Sequence, residues 1–270
     1  MKAVFLADAH LKKSSDERYE KLMSFLNDLK EGKVCSLIGK NKKNNQAVYI
    51  DDIFIAGDLF DFWFCRKENI YPEFRPIIDK LIDLKQAGVK VHLLEGNHDF
   101  FMKEYFGDVH GMEVCDEWLD RDIDSRKFLI GHGDTADQSN KVYLLFRKVL
   151  RSRVFYLFQR FLPRPLLWSI ASLSSAASKE LNKDNGDALF EKMSSFAEVK
   201  LRDGYDVIIM GHSHQPLIRR FNIIGKEKIF IALGDWIKYY SFVYYEDGNF
   251  SLSHYHPRVQ EAGKINQHWT

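Results

Sequence analysis

Three cysteines in 270 residues, Cys35, Cys65 and Cys115, form an odd set without C-x-x-C spacing. That excludes a disulfide framework and a cysteine-rich zinc site, and a reducing compartment is the expectation. Net charge is nearly absent too: 39 basic against 38 acidic residues leave +1, so no global field favours nucleic acid, and none is expected as a partner. The N-terminus has no long apolar run. Met1-Lys2-Ala3-Val4-Phe5-Leu6-Ala7 meets Asp8 and His10 too early for a signal peptide or a membrane span, which predicts a cytoplasmic chain beginning at Met1. Internal repeats and low-complexity tracts are also lacking. A composition of 45% hydrophobic and 29% charged residues belongs to a soluble globular protein that can bury a sizeable core.

What is present is a construction used five times, an apolar run of strand length ending in a small residue and a metal-type ligand. The endings are Phe5-Leu6-Ala7-Asp8-Ala9-His10, Ile53-Phe54-Ile55-Ala56-Gly57-Asp58, Leu93-Leu94-Glu95-Gly96-Asn97-His98-Asp99, Leu129-Ile130-Gly131-His132 and Ile208-Ile209-Met210-Gly211-His212-Ser213-His214. Continuous β-branched and leucine-rich runs read as buried parallel strands, so each ligand sits at a strand's carboxyl end. Helices are predicted at about 15–30, where Tyr19, Leu22, Met23, Leu26 and Leu29 share a face, and at 71–87, closed by Gly88. Residues 34–45 are polar and lysine-bearing, and read as an exposed hairpin or mobile loop. Phe60, Phe62 and Trp63 either line the site or pad the core beneath it. Three late strands, at 228–236, 239–246 and 250–254, suggest a second sheet packed on the first.

The stretch from Gln138 to Lys179 contains no aspartate or glutamate. It carries eight basic residues, among them Arg151, Arg153 and Arg160, interleaved with bulky apolar side chains such as Phe155 and Trp168, and Pro163 and Pro165 divide it into two helices. Such a segment can lie in an anionic membrane interface. The other reading is a helical cap that packs its apolar side on the α/β body and turns its arginines to solvent.

Mixed aspartate, histidine and asparagine ligands suit manganese, iron, cobalt or zinc better than calcium or magnesium alone. The ordered motifs Asp8-x-His10, Gly57-Asp58, Gly96-Asn97-His98-Asp99, Gly131-His132 and Gly211-His212-x-His214 resemble those of the calcineurin-like metallophosphoesterase superfamily. The resemblance implies an α/β fold, a β-sandwich of two mixed sheets flanked by helices (αββα), in a single domain over 1–270 with a helical cap inserted at 138–182. It implies two divalent ions, manganese being the expectation, one held by Asp8, His10, Asp58 and His214 and the other by Asp58, Asn97, His132 and His212. Asp58 then bridges them. Two cations sharing a carboxylate acidify a water between them and clamp phosphoryl oxygens. His98 is expected to stabilise charge on the phosphate or protonate the leaving oxygen, with Asn97 beside it and Asp99 orienting it.

Gly57-Asp58-Leu59-Phe60-Asp61-Phe62-Trp63, His132-Gly133-Asp134-Thr135, the acid-free insertion, Ser178-Lys179-Glu180 and Leu233-Gly234-Asp235-Trp236 look like the bacterial UDP-2,3-diacylglucosamine pyrophosphatases of lipid A synthesis. The match is to a branch bearing histidine at the position of His98. That resemblance implies a lipid-linked UDP-sugar substrate cleaved to UMP and 2,3-diacylglucosamine 1-phosphate, by an enzyme peripheral on the cytoplasmic face of the inner membrane. Asn140, Tyr143, Ser178 and Lys179 would line the glucosamine-phosphate pocket, and the cap with Arg151, Arg153, Phe155, Arg160 and Trp168 would meet lipid. Two rival expectations stand beside it: a phosphoesterase acting on a soluble nucleotide or other phosphodiester, and a non-catalytic membrane or protein adaptor.

Overall fold

The computed structural model describes residues 1–36, 38, 47–63, 70–158, 161–163, 166, 169 and 186–256. Alternation along the strands sets its layers, because successive side chains of a strand face opposite sides of the sheet. In β1 (Lys2–Leu6) and β2 (Asp52–Ala56), Val4, Leu6, Ile53 and Ile55 pack outward under α1 (Glu17–Lys30) and α3 (Arg75–Gln86). Ala3, Phe5, Phe54 and Ala56 face the opposite way, into a second cluster. There they meet Phe128 and Ile130 of β6 (Arg126–Gly131), Val207 and Ile209 of β7 (Val207–Met210), and Ile229, Ile231 and Leu233 of β9 (Lys226–Leu233). The other faces of those three strands present Leu129, Ile208, Met210, Phe230 and Ala232 to α6 (Gly186–Arg202). Three stacked apolar clusters thus make four layers, helix, sheet, sheet and helix. Each fully buried aromatic such as Phe5, Phe54 or Phe128 contributes about 1.5–3 kcal/mol by leaving water.

The first sheet has six strands in the order β11-β10-β1-β2-β3-β4, with β3 at Lys90–Leu94, β4 at Glu113–Cys115, β10 at Ser241–Glu246 and β11 at Asn249–His254. The second has five in the order β5-β6-β7-β9-β8, with β5 at Trp118–Ile123 and β8 at Pro216–Ile223. The central strands β1, β2 and β3 are parallel, as are β6, β7 and β9. Their carboxyl ends open at one edge of the sandwich, over which lie α4 (Lys141–Leu150) and α5 (Arg153–Phe158).

Several expectations change. The late strands do not form a sheet of their own: β9 joins β7 in the second sheet, whereas β10 pairs with β1 and β11 with β10 in the first. Register across the sandwich decides this, and no local pattern carries it. The segment at 34–45 begins with a helical turn, α2 (Lys33–Ser36), and Val34 and Ile38 are buried in the core, so its start is packed rather than exposed. Its remainder, 37 and 39–45, lies outside the described residues. Phe60, Phe62 and Trp63 are core: all three are buried and pack around Phe74, with Phe106 against Phe60 and Trp63.

Candidate metal centre

The parallel strands deliver their ligands to the same edge, and those after β1, β2 and β7 do so through a left-handed turn of the backbone. Asp8, His10, Asp58, His212 and His214 all adopt left-handed backbone, with φ of 56°, 45°, 52°, 64° and 55°. For residues with a Cβ this conformation is strained, and such strain collects at functional sites where the surroundings overdetermine it. Here hydrogen bonds pin the turns: Asp8 N–H to Gly57 O at 3.1 Å, His10 N–H to Asp58 O at 2.9 Å and His212 N–H to Asp8 Oδ2 at 2.8 Å. Two motif glycines allow the close approach. A Cβ on Gly96 would lie 2.1 Å from Asp58 Oδ1, and one on Gly211 would lie 2.6 Å from Asp8 Oδ2.

The ligand atoms form two groups that share Asp58. In the first, Asp8 Oδ1 lies 3.8 Å from His10 Nε2 and 3.6 Å from His214 Nε2, and His10 Nε2 lies 3.6 Å from Asp58 Oδ2. In the second, His132 Nε2 stands 2.9 Å from Asn97 Oδ1, 3.2 Å from His212 Nδ1 and 3.4 Å from Asp58 Oδ2. Bonds of about 2.0–2.2 Å to a common ion place neighbouring ligands about 3–3.5 Å apart, close to these separations. Asp8 Oδ1 is buried and accepts no hydrogen bond, which is costly for a carboxylate oxygen and suits a cation as its partner. The donor set therefore fits two divalent ions; among the described residues, ligand atoms cluster closely enough to hold an ion in the groups Asp8, His10, His214, and His10, Asp61, His98, and Asp8, Asp58, His132.

Further groups, missed in the sequence, orient the imidazoles. His132 Nδ1 donates to Ala56 O at 3.0 Å, which leaves Nε2 for the centre. His214 Nδ1 lies 3.3 Å from Asp235 Oδ2, and Asp235 Oδ1 in turn accepts the N–H groups of Ile237, Lys238 and Tyr239. Asp61 Oδ1 lies 3.7 Å from His10 Nδ1. The available signal for Asp235 was a sixth strand ending, Leu233-Gly234-Asp235, of the same form as the other five.

His98 is buried beside the bridge, with Nε2 3.9 Å from Asp58 Oδ2 and its N–H donated to Asp58 Oδ1 at 2.9 Å. The role expected of Asp99 is corrected. Its carboxylate accepts the N–H groups of Gly96 and Asp58, both at 2.9 Å, and of Phe60 at 3.2 Å, so it joins the Asn97 loop to the Asp58 loop. His98 Nδ1 is instead held by Asp61 O at 3.1 Å.

Charge in the centre is concentrated. Burial lifts Asp8 to about 6, and burial together with the neighbouring Asp58 lifts Asp99 to about 8. Burial also opposes ionisation of Asp58, but His132, His98 and His10 outweigh it and hold that carboxyl well below the usual range. His132, despite burial, is drawn up to about 10 by Asp58 and Asp8, while burial and the charge on His132 push His212 down to about 3.

The cap residues depart further from expectation. Asn140 caps α4, its Oδ1 accepting the Tyr143 N–H at 3.1 Å. Tyr143 is buried, and its hydroxyl donates to Asp134 Oδ2 at 2.8 Å. Between Tyr143 and Asn97 lies a crevice of about 10 Å³, room for about one water. Arg151 turns inward to Glu95 instead of outward to lipid. Arg153 is exposed and Phe155 half-buried, whereas Arg160, Trp168, Ser178 and Lys179 lie outside the described residues. No helix among the described residues is long and apolar enough to cross a membrane.

A two-sheet sandwich that converges aspartate, histidine and asparagine ligands around one shared carboxylate defines a metal-dependent phosphohydrolase. The chain belongs to the calcineurin-like phosphoesterase family, whose model matches residues 1–216 and whose members depend on two metal ions. It is 27% identical over 239 residues to a UDP-2,3-diacylglucosamine hydrolase of Serratia proteamaculans, covering 87% of this chain and 91% of that one. A protein of the same name from Aliivibrio fischeri is 30% identical over 211 residues, covering 77% and 86%. Another from Stenotrophomonas maltophilia is 28% identical over 262 residues, covering 93% and 98%.

Proposed function

We infer that the protein hydrolyses the pyrophosphate of UDP-2,3-diacylglucosamine to UMP and 2,3-diacylglucosamine 1-phosphate, a step of lipid A synthesis, at the cytoplasmic face of the inner membrane. The observation that carries this reading is the outer surface of the cap. Val142, Leu145 and Val149 project from α4 at helical spacing, 67%, 65% and 54% exposed, flanked by the exposed Lys141 and Lys148; Val154 and Phe161 extend the apolar surface at 78% and 84%. Such a surface beside a phosphohydrolase centre suits acyl chains and an anionic headgroup region. The similarity to UDP-2,3-diacylglucosamine hydrolases supports the same substrate.

When bound, the two ions, manganese being favoured for this mixed oxygen and nitrogen donor set, would neutralise phosphoryl charge and lower the pKa of a water. Asp58 would bridge them, Asp8, His10 and His214 would complete one half-site, and Asn97, His132 and His212 the other. His98, its ring held by Asp61 O, stands where it can hydrogen-bond a phosphoryl oxygen or pass a proton to the departing oxygen. The rival reading, a soluble phosphodiester under a packed lid, draws on the inward turn of Arg151 and Tyr143. A hydrolysis assay with added manganese, comparing UDP-2,3-diacylglucosamine with UDP-glucose and a generic phosphodiester, separates them. Selective turnover of the lipid is expected; equal rates on all three would remove the lipid assignment and leave the phosphohydrolase chemistry intact.

A further inference from the structure

The inner face of α4 is built as carefully as the ligands it overlies. Tyr143, Arg147 and Arg151 recur every four residues and so project from one side of the helix and its C-cap. Each ends on a loop that bears a ligand. The Tyr143 hydroxyl and Arg147 Nε both donate to Asp134 Oδ2, at 2.8 and 2.5 Å, two residues beyond His132. Arg151 spans the other loop: Nη1 donates to Glu95 Oε2 at 3.0 Å and to Asp116 O at 2.8 Å, and Nη2 to Gly96 O at 2.6 Å, the carbonyl of the peptide that leads into Asn97. Glu95 is held from its other oxygen as well, Oε1 accepting the Met102 N–H at 2.7 Å. Only a planar guanidinium presents donors in the fork that this set of acceptors requires.

Both ion pairs are buried, with side-chain exposures of 14% and 3% for Arg147 and Asp134 and of 13% and 5% for Arg151 and Glu95. A buried pair adds little net stability over an apolar packing of the same shape, which directs attention to geometry as its use. The distribution is one-sided. The loops that α4 holds carry Asn97 and His132, whereas Asp8, His10 and His214 are oriented by Gly57, Trp236, Asp61 and Asp235 at the sheet ends.

We propose that Tyr143, Arg147 and Arg151 are positioning residues for the second cation, so that the cap helix sets the affinity of the Asn97, His132 and His212 half-site and leaves the Asp8, His10 and His214 half-site alone. The proposal rests on the two-ion centre and is independent of the lipid substrate.

The test measures Mn²⁺ dissociation constants by equilibrium dialysis in two backgrounds, His214→Ala, which keeps the second half-site complete, and Asn97→Ala, which keeps the first. Into each goes the double substitution Arg151→Met with Glu95→Gln, which removes both charges and strands neither. In the His214→Ala background the dissociation constant rises about 10- to 100-fold, the scale of losing a group that orients metal ligands; in the Asn97→Ala background it changes less than about two-fold. Tyr143→Phe, which keeps the ring and deletes only the hydroxyl, shifts the second half-site in the same direction by a smaller factor, and decides the matter if the double variant does not fold. Equal weakening in both backgrounds, or no change at the second half-site with either variant, would overturn the proposal. A wild-type chain that binds a single ion would overturn the two-ion centre and the proposal with it, whereas a failed lipid assay touches neither.

Discussion

The two halves of the metal centre are held by different kinds of structure. The half built from Asp8, His10 and His214 is braced by the ends of neighbouring strands: Trp236 N–H reaches Asp8 O at 3.0 Å, Asp235 faces His214 and Asp61 faces His10. The half built from Asn97 and His132 is braced in part by α4, which belongs to the insertion between β6 and β7 and is foreign to either sheet. One half can form wherever the two sheets pack. The other also depends on a helix whose far side is exposed and apolar, so a single element touches both the centre and whatever meets the cap.

The sharpest way to break this comparison is to remove what the halves share. Asp58→Ala should abolish binding at both half-sites and lower phosphodiester turnover about a thousand-fold or more, measured by metal analysis and steady-state kinetics. A metal-replete, active Asp58→Ala protein would remove the bridged centre. His98→Ala should keep both ions, because each half-site retains its own ligands without it, and yet lower kcat about 10²- to 10³-fold. Loss of metal in that variant would make His98 a ligand. Asp235→Asn mirrors the cap variants: the first half-site should weaken about 10- to 100-fold while the second holds, read by manganese titration in the single-site backgrounds. The smallest effect belongs to the outer face. Replacing Val142, Leu145 and Val149 together by serine should leave metal content unchanged and weaken association with anionic liposomes a few-fold, since these side chains would enter only the interface and the flanking Lys141 and Lys148 keep their attraction to anionic headgroups. Unchanged liposome binding would favour the packed-lid reading of the cap.

The places where sequence reasoning stopped follow from where the information lies. Asp99 stands one residue from His98, and adjacency suggested that it orients that ring; folding turns its carboxylate toward the N–H groups of Gly96, Asp58 and Phe60. Arg151 sits in an acid-free stretch that reads as a solvated or membrane-facing basic face, yet its partner Glu95 arrives from 56 residues away. Among the late strands, β9 could have been placed by its kinship with β7, but β10 and β11 return to the first sheet by pairing with β1. Asp235 repeated the strand-end construction and was legible in principle.

The ligand types, their order and the family they define were determined by the sequence itself, because each motif is local: an apolar strand, a small residue that permits a tight turn or a close approach, and a donor directly after it. Which donors share an ion, which groups orient them and which way the cap arginines turn were decided only by the tertiary structure. Those choices depend on contacts between residues far apart in the chain, such as Asp134 with Arg147 and Glu95 with Arg151, and on burial that makes a carboxylate and a guanidinium seek each other once both have left water.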